Sequence, residues 1–282
     1  MQSFQEMMDY IRPEQVGRYW FRGLSPQTHG RVFGGQVVAQ CLLAAYATVD
    51  ETFTAHSLHA YFLRGGDPTQ PIEFEVDPIR DGNSFCTRRV VARQNGQAIF
   101  NTSVSYQVQE QGFEHSEPMP KLQPPVAKPL SDINRDIEAD KELNPRQRNM
   151  FQIFQVQRER ANIKQDPDST LVRAHWFSTR GPLEEDPRLH QAALALISDF
   201  SLLGTCIQKQ GLEDWEDDLM IASLDHAIWF HRPVNINDYV LYGSDSPWAG
   251  NSRGFNRGSF WNTSGELIAS TIQESLVRKK RR

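Results

Sequence analysis

Two places in the chain combine residue types that do chemistry. The first is "IASLDHAIWFHRP", residues 221–233, where Asp225, His226 and His231 stand among apolar side chains. Histidines beside a carboxylate are the makings of a metal site or of an acid/base pair. Read as one strand, the stretch alternates: Ser223, Asp225, Ala227, Trp229 and His231 face one way, and Leu224, His226, Ile228 and Phe230 the other. The histidines then fall on opposite faces, and the chain offers no other His or Cys cluster with ligand spacing. A metal site is not expected, and His226 and His231 read as hydrogen-bonded strand histidines. The second place is Asp199. At helical spacing it is a neighbour of Ala195, Leu196, Leu202 and Leu203, on or beside an apolar stripe. An ionised carboxylate there is costly unless partners satisfy it, and such carboxylates are disproportionately functional.

Ser223 and Gln273 are ordinary when taken singly. A glutamine inside a strand such as "STIQES" is commonly an exposed residue, and no Gly-x-Ser-x-Gly elbow surrounds any serine. "FGGQVV" lacks the spacing of a dinucleotide or phosphate loop. His59 is a fallback catalytic group, weighed against a structural histidine.

The elements that must position these residues occur twice. "SLHAYFLR" starts at Ser57 and "SLDHAIWFHR" at Ser223, an offset of 166 residues. "GNSFCTRRV" and "GNSRGFNRG" lie 168 apart, as do "IFNTSVSYQ" from Ile99 and "LIASTIQES" from Leu267. Each half opens with a helical run, "GGQVVAQCLLAAYATV" and then "RLHQAALALISDFSLLGTCIQ", with Gly34-Gly35 and Pro187 marking the starts. Strand-like stretches follow, punctuated by Asn95-Gly96 and Ser264-Gly265, which read as tight hairpins. A long helix followed by consecutive antiparallel strands is an α+β unit in which a curved sheet wraps a helix. Two copies give an N-terminal unit over 1–113 and a C-terminal unit over 171–282 that carries the candidate chemistry. Between them, residues 114–170 are rich in proline and charge and read as a linker, with "NMFQIFQVQRERANI" a candidate short helix. The first helix shows only Gln36 and Gln40 at its polar positions, so the acid exists once.

Bulk composition narrows the partners. At 282 residues with 6 Trp and 16 Phe, the chain can build a real core, and a net charge of −5 argues against nucleic acid. The basic run "RKKRR" at the end reads as a solvated tail. Cys41, Cys86 and Cys206 are odd in number and far apart, which is neither a disulfide framework nor a zinc set, so buried free thiols are expected. No apolar run approaches the roughly 20 residues of a membrane span. The start of the chain has no cationic segment followed by an apolar one, so a soluble, cytoplasmic protein is expected.

"RVFGGQVVAQ" at Arg31, "HSLHAYFLRGGD" at His56, "RDGNSF" at Arg80, "GFEH" at Gly112, "LDHAIWFHRP" at Leu224, "RGFNRGSF" at Arg253 and "ASTIQE" at Ala269 together resemble the acyl-CoA thioesterase II family. The resemblance covers nearly the whole chain and is weakest in the linker. It implies a double hotdog, a long helix wrapped by an antiparallel sheet, twice in one chain. It implies hydrolysis of acyl-CoA to fatty acid and CoA with no metal or organic cofactor. The family's catalytic Asp, Thr or Ser, and Gln fall on Asp199, Ser223 and Gln273, with Ser223 standing where bacterial relatives often have threonine. In that mechanism the three hold the attacking water and backbone N–H groups stabilise the tetrahedral intermediate. A homodimer or homotetramer is expected by the same resemblance. The final "RKKRR" also lacks the Ser-Lys-Leu ending that sends relatives to peroxisomes, which favours a bacterial cytoplasmic setting. Two other classes fit the fold: a hotdog enoyl-CoA hydratase or dehydratase, and a non-catalytic acyl-CoA-binding module. The hydratase needs a His and an acid at one site, for which Asp225 and His226 are the nearest pair and face apart.

Overall fold

The computed structural model of the chain describes residues 4–26, 30–126, 128–141, 143, 145–159, 169–211 and 218–280. The first half contains α1 (Phe4–Tyr10), β1 (Glu14–Gly17), β2 (Trp20–Gly23), α2 (Gly34–Tyr46), β3 (Phe53–Phe62), β4 (Ile72–Asp81), β5 (Phe85–Gln94) and β6 (Gln97–Val108). Then come α3 (Leu130–Ala139), α4 (Pro145–Ile153) and β7 (Phe154–Arg158). The second half holds β8 (Arg173–Thr179), α5 (Pro187–Ser198), α6 (Gly204–Lys209), β9 (Leu219–Ser223), β10 (Asp225–Phe230), β11 (Val240–Gly250), β12 (Arg253–Asn262) and β13 (Leu267–Lys279). All the strands pair antiparallel in one sheet of order β1-β2-β4-β5-β6-β3-β10-β13-β12-β11-β8-β7, with β9 also on β13. The halves meet where β3 pairs with β10 and where α2 packs on α5. This is the expected α+β plan of two tandem helix-and-sheet units.

Local chemistry explains the elements that matter for the site. Asp186 caps α5 by accepting the Arg188 N–H, and Pro187 takes the first turn, where a missing N–H costs nothing. Apolar positions of α2 and α5, among them Val38, Leu42, Leu194 and Leu196, share one core with Leu58, Phe74, Val104 and Ile228 from the strands. Gln36 and Gln40 are buried in that core, their amides satisfied by the Leu24 and Tyr10 carbonyls and by Ser25. Asn95 and Gly96 both have positive φ, 50° and 76°, as a two-residue turn between right-twisted strands requires. All three cysteines are free and buried. Among the described residues no helix is long and apolar enough to cross a membrane.

Three details differ from the sequence reading. The "NMFQIFQVQR" stretch is helical only to Ile153; Phe154–Arg158 instead pairs with β8 as an edge strand, so tertiary pairing overrides the apolar spacing. The remainder of that stretch, from residue 160, lies outside the described residues, as do residues 281 and 282 of the basic tail. The repeat also has a different register. The N–H groups of Leu63 and Arg64 both donate to the Ile99 carbonyl, and those of His231 and Arg232 both donate to the Ile268 carbonyl. Thr102 Oγ1 donates to the His59 carbonyl, and Thr271 Oγ1 to that of Ala227. Ser223 therefore corresponds to Ala55, not to Ser57, and Ile99 to Ile268, not to Leu267. The last shift arises because the turn closed by Asn262 and Glu266 is one residue longer than the one closed by Gln94 and Gln97.

Candidate active site

Asp199 is the C-cap of α5 and is followed by a tight turn in which Ser201 has φ 65°. Its carboxylate points across to the start of α2, where Oδ2 accepts the Gly35 N–H at 2.9 Å. The two glycines make this approach possible. A Cβ on Gly34 would stand 2.7 Å from Asp199 Oδ2, and one on Gly35 would stand 2.3 Å from the Leu196 carbonyl oxygen. The "FGG" of the sequence is thus a close crossing of two helices rather than a phosphate loop. Gly35 belongs to the first half, so the site is not confined to the second.

The other Asp199 oxygen, Oδ1, is 3.4 Å from Ser223 Oγ at the end of β9. Ser223 Oγ accepts the Gln273 amide N–H at 2.6 Å, and Gln273 Oε1 faces His226 Nδ1 at 2.9 Å. His226 Nε2 lies 2.8 Å from Ser198 Oγ, back on α5. The three residues expected from the sequence therefore stand together, and Gln273, expected as exposed when taken alone, is buried. His226, read from the sequence as a hydrogen-bonded strand histidine, Gly35, read as a helix start, and Ser198 join them, a grouping the sequence reading did not expect.

His226 is the hydrogen-bonded strand histidine expected, and the physical reason it shares a face with Ser223 is a strand break. Ser223 pairs with Ser275 on β13, yet Ala227 pairs with Ile272, so the register slips by one residue around Leu224. A one-residue slip turns every later side chain to the other face. Unbroken alternation puts Ser223 and His226 on opposite faces, whereas both reach Gln273. The same slip occurs between Ala55 and Ser57 in the first half. Asp225 fastens it by accepting the Glu274 N–H at 2.6 Å. His231 is exposed and bonds Ser270. His59 is exposed, edge-on to Trp229, and lies away from this network. A comparison of the halves in the correct register would have flagged His226, because its counterpart is Leu58.

Burial pushes the Asp199 carboxyl above the ordinary carboxylate value; the nearby His226 ring, the Gly35 N–H, the Ser223 hydroxyl and the Gln273 amide pull it back. Burial pushes His226 down, against the attraction of Asp199 and the bond to Gln273. The carboxylate thus has the Gly35 N–H and the Ser223 hydroxyl aimed at its two oxygens in a buried site. Such an arrangement can orient a water and take its proton.

The chain matches two family models, an acyl-CoA thioesterase N-terminal domain over residues 24–107 and an acyl-CoA thioesterase model over residues 147–276. It is 36% identical to human acyl-coenzyme A thioesterase 8, covering 89% of this chain and 81% of that protein. It is 34% identical to acyl-CoA thioesterase 2 of Haemophilus influenzae, covering 96% of both. Among solved structures, acyl-CoA thioesterase II TesB2 from Mycobacterium marinum superposes with TM-score 0.80 at 36% identity over 97% of each chain. A protein with a hot dog fold from Alicyclobacillus acidocaldarius, 17% identical over 98% of each chain, superposes with TM-score 0.71, which speaks for the shared fold alone. With both halves matched by models of one family and near-complete relatives above 30% identity, the chain belongs to the acyl-CoA thioesterase family.

Proposed function

We propose that the protein hydrolyses fatty acyl-CoA to the free acid and CoA, using a water held by Asp199, Ser223 and Gln273. Asp199 takes a proton from the water as its oxygen attacks the thioester carbonyl carbon. Ser223 and Gln273 fix the line of attack. The tetrahedral intermediate collapses with cleavage of the C–S bond, and the thiolate of CoA leaves with the proton returned from Asp199. No covalent acyl-enzyme is needed, and neither a metal nor an organic cofactor is invoked. The observation that carries this reading is the unbroken Asp199–Ser223–Gln273 contact, present in one half, whereas in the other Ser223 and Gln273 are replaced by the buried apolar Ala55 and Val104 and the place of the acid is taken by Tyr46.

The test is release of free thiol from acyl-CoA substrates of several chain lengths, followed with a thiol reagent. Wild type should release CoA, and Asp199→Asn should lose about 10²–10⁴-fold in kcat, the range for removing a positioned base. A non-catalytic acyl-CoA-binding module would release none. A hydratase would act on enoyl-CoA instead, and its imidazole would have to face substrate. Both His226 nitrogens are already engaged, by Gln273 and Ser198. The same reading divides the chain into units 1–113 and 171–282 joined by 114–170. It also includes a homodimer or homotetramer, testable by sedimentation, and a cytoplasmic setting, which the three free buried thiols support.

A further inference from the structure

Five side chains of the second half form one hydrogen-bonded line. It runs from Ser198 Oγ to His226 Nε2 (2.8 Å), from His226 Nδ1 to Gln273 Oε1 (2.9 Å), from Gln273 Nε2 to Ser223 Oγ (2.6 Å) and from Ser223 Oγ to Asp199 Oδ1 (3.4 Å). Its direction follows from what each group can donate. A glutamine amide has a donor end and an acceptor end. With Oε1 toward His226, the imidazole carries a proton on Nδ1, and the amide NH₂ donates to Ser223. The single proton of Ser223 is then left for Asp199. With the amide reversed, Ser223 would donate to Gln273 Oε1 instead, and Asp199 would lose a donor. For the ring to be the neutral Nδ1–H form, Ser198 Oγ must turn its single proton from the Ala195 carbonyl, 2.7 Å away, to Nε2; left on the carbonyl, that proton makes Ser198 an acceptor for Nε2–H.

The first half is an internal control for what the fold itself requires. In the register set by the Thr102 and Thr271 bonds, His226 corresponds to Leu58, Gln273 to Val104 and Ser223 to Ala55. All three counterparts are buried and apolar. At the C-terminal end of α2, Tyr46 reaches Ala55, as Asp199 at the end of α5 reaches Ser223: its OH accepts the Ala55 N–H at 2.7 Å and donates to Gln191. Packing at these positions is thus met by apolar side chains, and a buried imidazole adds a desolvation cost without a packing need. We infer that His226 is a positioning residue: its Nδ1–H holds the Gln273 amide with nitrogen toward Ser223, so that the Ser223 proton points at Asp199. The inference rests on the reading that Asp199, Ser223 and Gln273 hold the water.

The experiment compares steady-state CoA release and thermal unfolding for His226→Leu, His226→Asn, Gln273→Leu, the double variant His226→Leu/Gln273→Leu, and Asp199→Asn. His226→Leu installs the side chain that the fold already uses at position 58. It should lower kcat about 10–100-fold, as misplacement of a catalytic group does, with KM within about threefold and Tm unchanged or higher. His226→Asn keeps an N–H donor near the Nδ1 position and should recover about tenfold of that loss. The double variant should be no slower than Gln273→Leu alone, because the imidazole acts through the amide; a packing role would multiply the two losses. The inference is overturned by a His226→Leu enzyme within twofold of wild type, by leucine and asparagine variants that are equally slow, or by losses that multiply. Should the leucine variant misfold, His226→Asn carries the test: kcat within about tenfold of wild type, well above that of Gln273→Leu, supports the inference, and kcat equal to that of Gln273→Leu defeats it. Full activity of Asp199→Asn would instead sink the catalytic reading itself. An inactive Asp199→Asn beside a fully active His226→Leu defeats only the role given to His226.

Discussion

At the scale of the residue, Asp199 is held against its own preference. It closes the C-terminal end of α5, where the helix dipole disfavours an anion, and it faces the N-terminal end of α2, where the dipole favours one. Burial dominates and raises its pKa. The consequence for stability has a definite sign. Below the ordinary carboxylate value both the folded and unfolded chains hold the proton and nothing is lost. Between that value and the raised folded value the folded state increasingly gives up its advantage, and above both the full cost of the buried charge is present. Asp199→Asn should therefore be inactive yet at least as stable as wild type at neutral pH, with Tm equal or higher by scanning calorimetry. Ser223→Ala removes a donor that favours the ionised form, so the acid limb of its pH–kcat profile should move to higher pH than that of wild type. Asp199 was legible in the sequence because a carboxylate beside an apolar stripe demands partners. Ser223 and Gln273 were not: a serine and a glutamine in a strand carry no pattern, and only resemblance to a family singled them out.

At the scale of the element, the site depends on two backbone features with very different visibility. The paired glycines at the start of α2 could be read as a helix start, but their reason lies in the partner helix, which no local pattern reports. Gly34→Ala would push a methyl group against Asp199 Oδ2 and the Phe62 ring, both 2.7 Å from its ideal position. It should cost about 10²-fold in kcat through displacement of the carboxylate. Gly35→Ala meets a backbone carbonyl that cannot swing aside and should destabilise the fold by about 1–3 kcal/mol in urea titration. The register slip around Leu224 was wholly illegible. No glycine or proline marks it, and "ASLDHAIWF" alternates well enough to pass as one strand. It is nonetheless the device that brings Ser223 and His226 to the same amide, as β-bulges commonly re-aim side chains near active sites. The hairpin at Asn95-Gly96 was the opposite case, since its chemistry is local and the sequence states it.

At the scale of the whole molecule, the duplication was legible and its inequality was not. Three echoes in one order announce two similar halves, but which half works depends on single positions in a register that the echoes misplace by one or two residues. In the first half the place of the acid is taken by Tyr46, tied to Ala55 and Gln191. Tyr46→Phe would leave the buried Ala55 N–H and a Gln191 acceptor without a partner. It should cost about 1–3 kcal/mol of stability while leaving kcat within twofold, measured by denaturant unfolding beside the CoA-release assay.

The bond between Gly35 and Asp199 is also the point where one duplicated unit reads the position of the other. A thioesterase wired in this way reports its own integrity. A small sliding of α2 along α5 would unseat the carboxylate while leaving most strand pairing intact. In rising urea, turnover should then fade before far-ultraviolet ellipticity does and return fully on dilution. Coincident loss of the two signals at every concentration would mean that the halves come apart only when the whole chain unfolds.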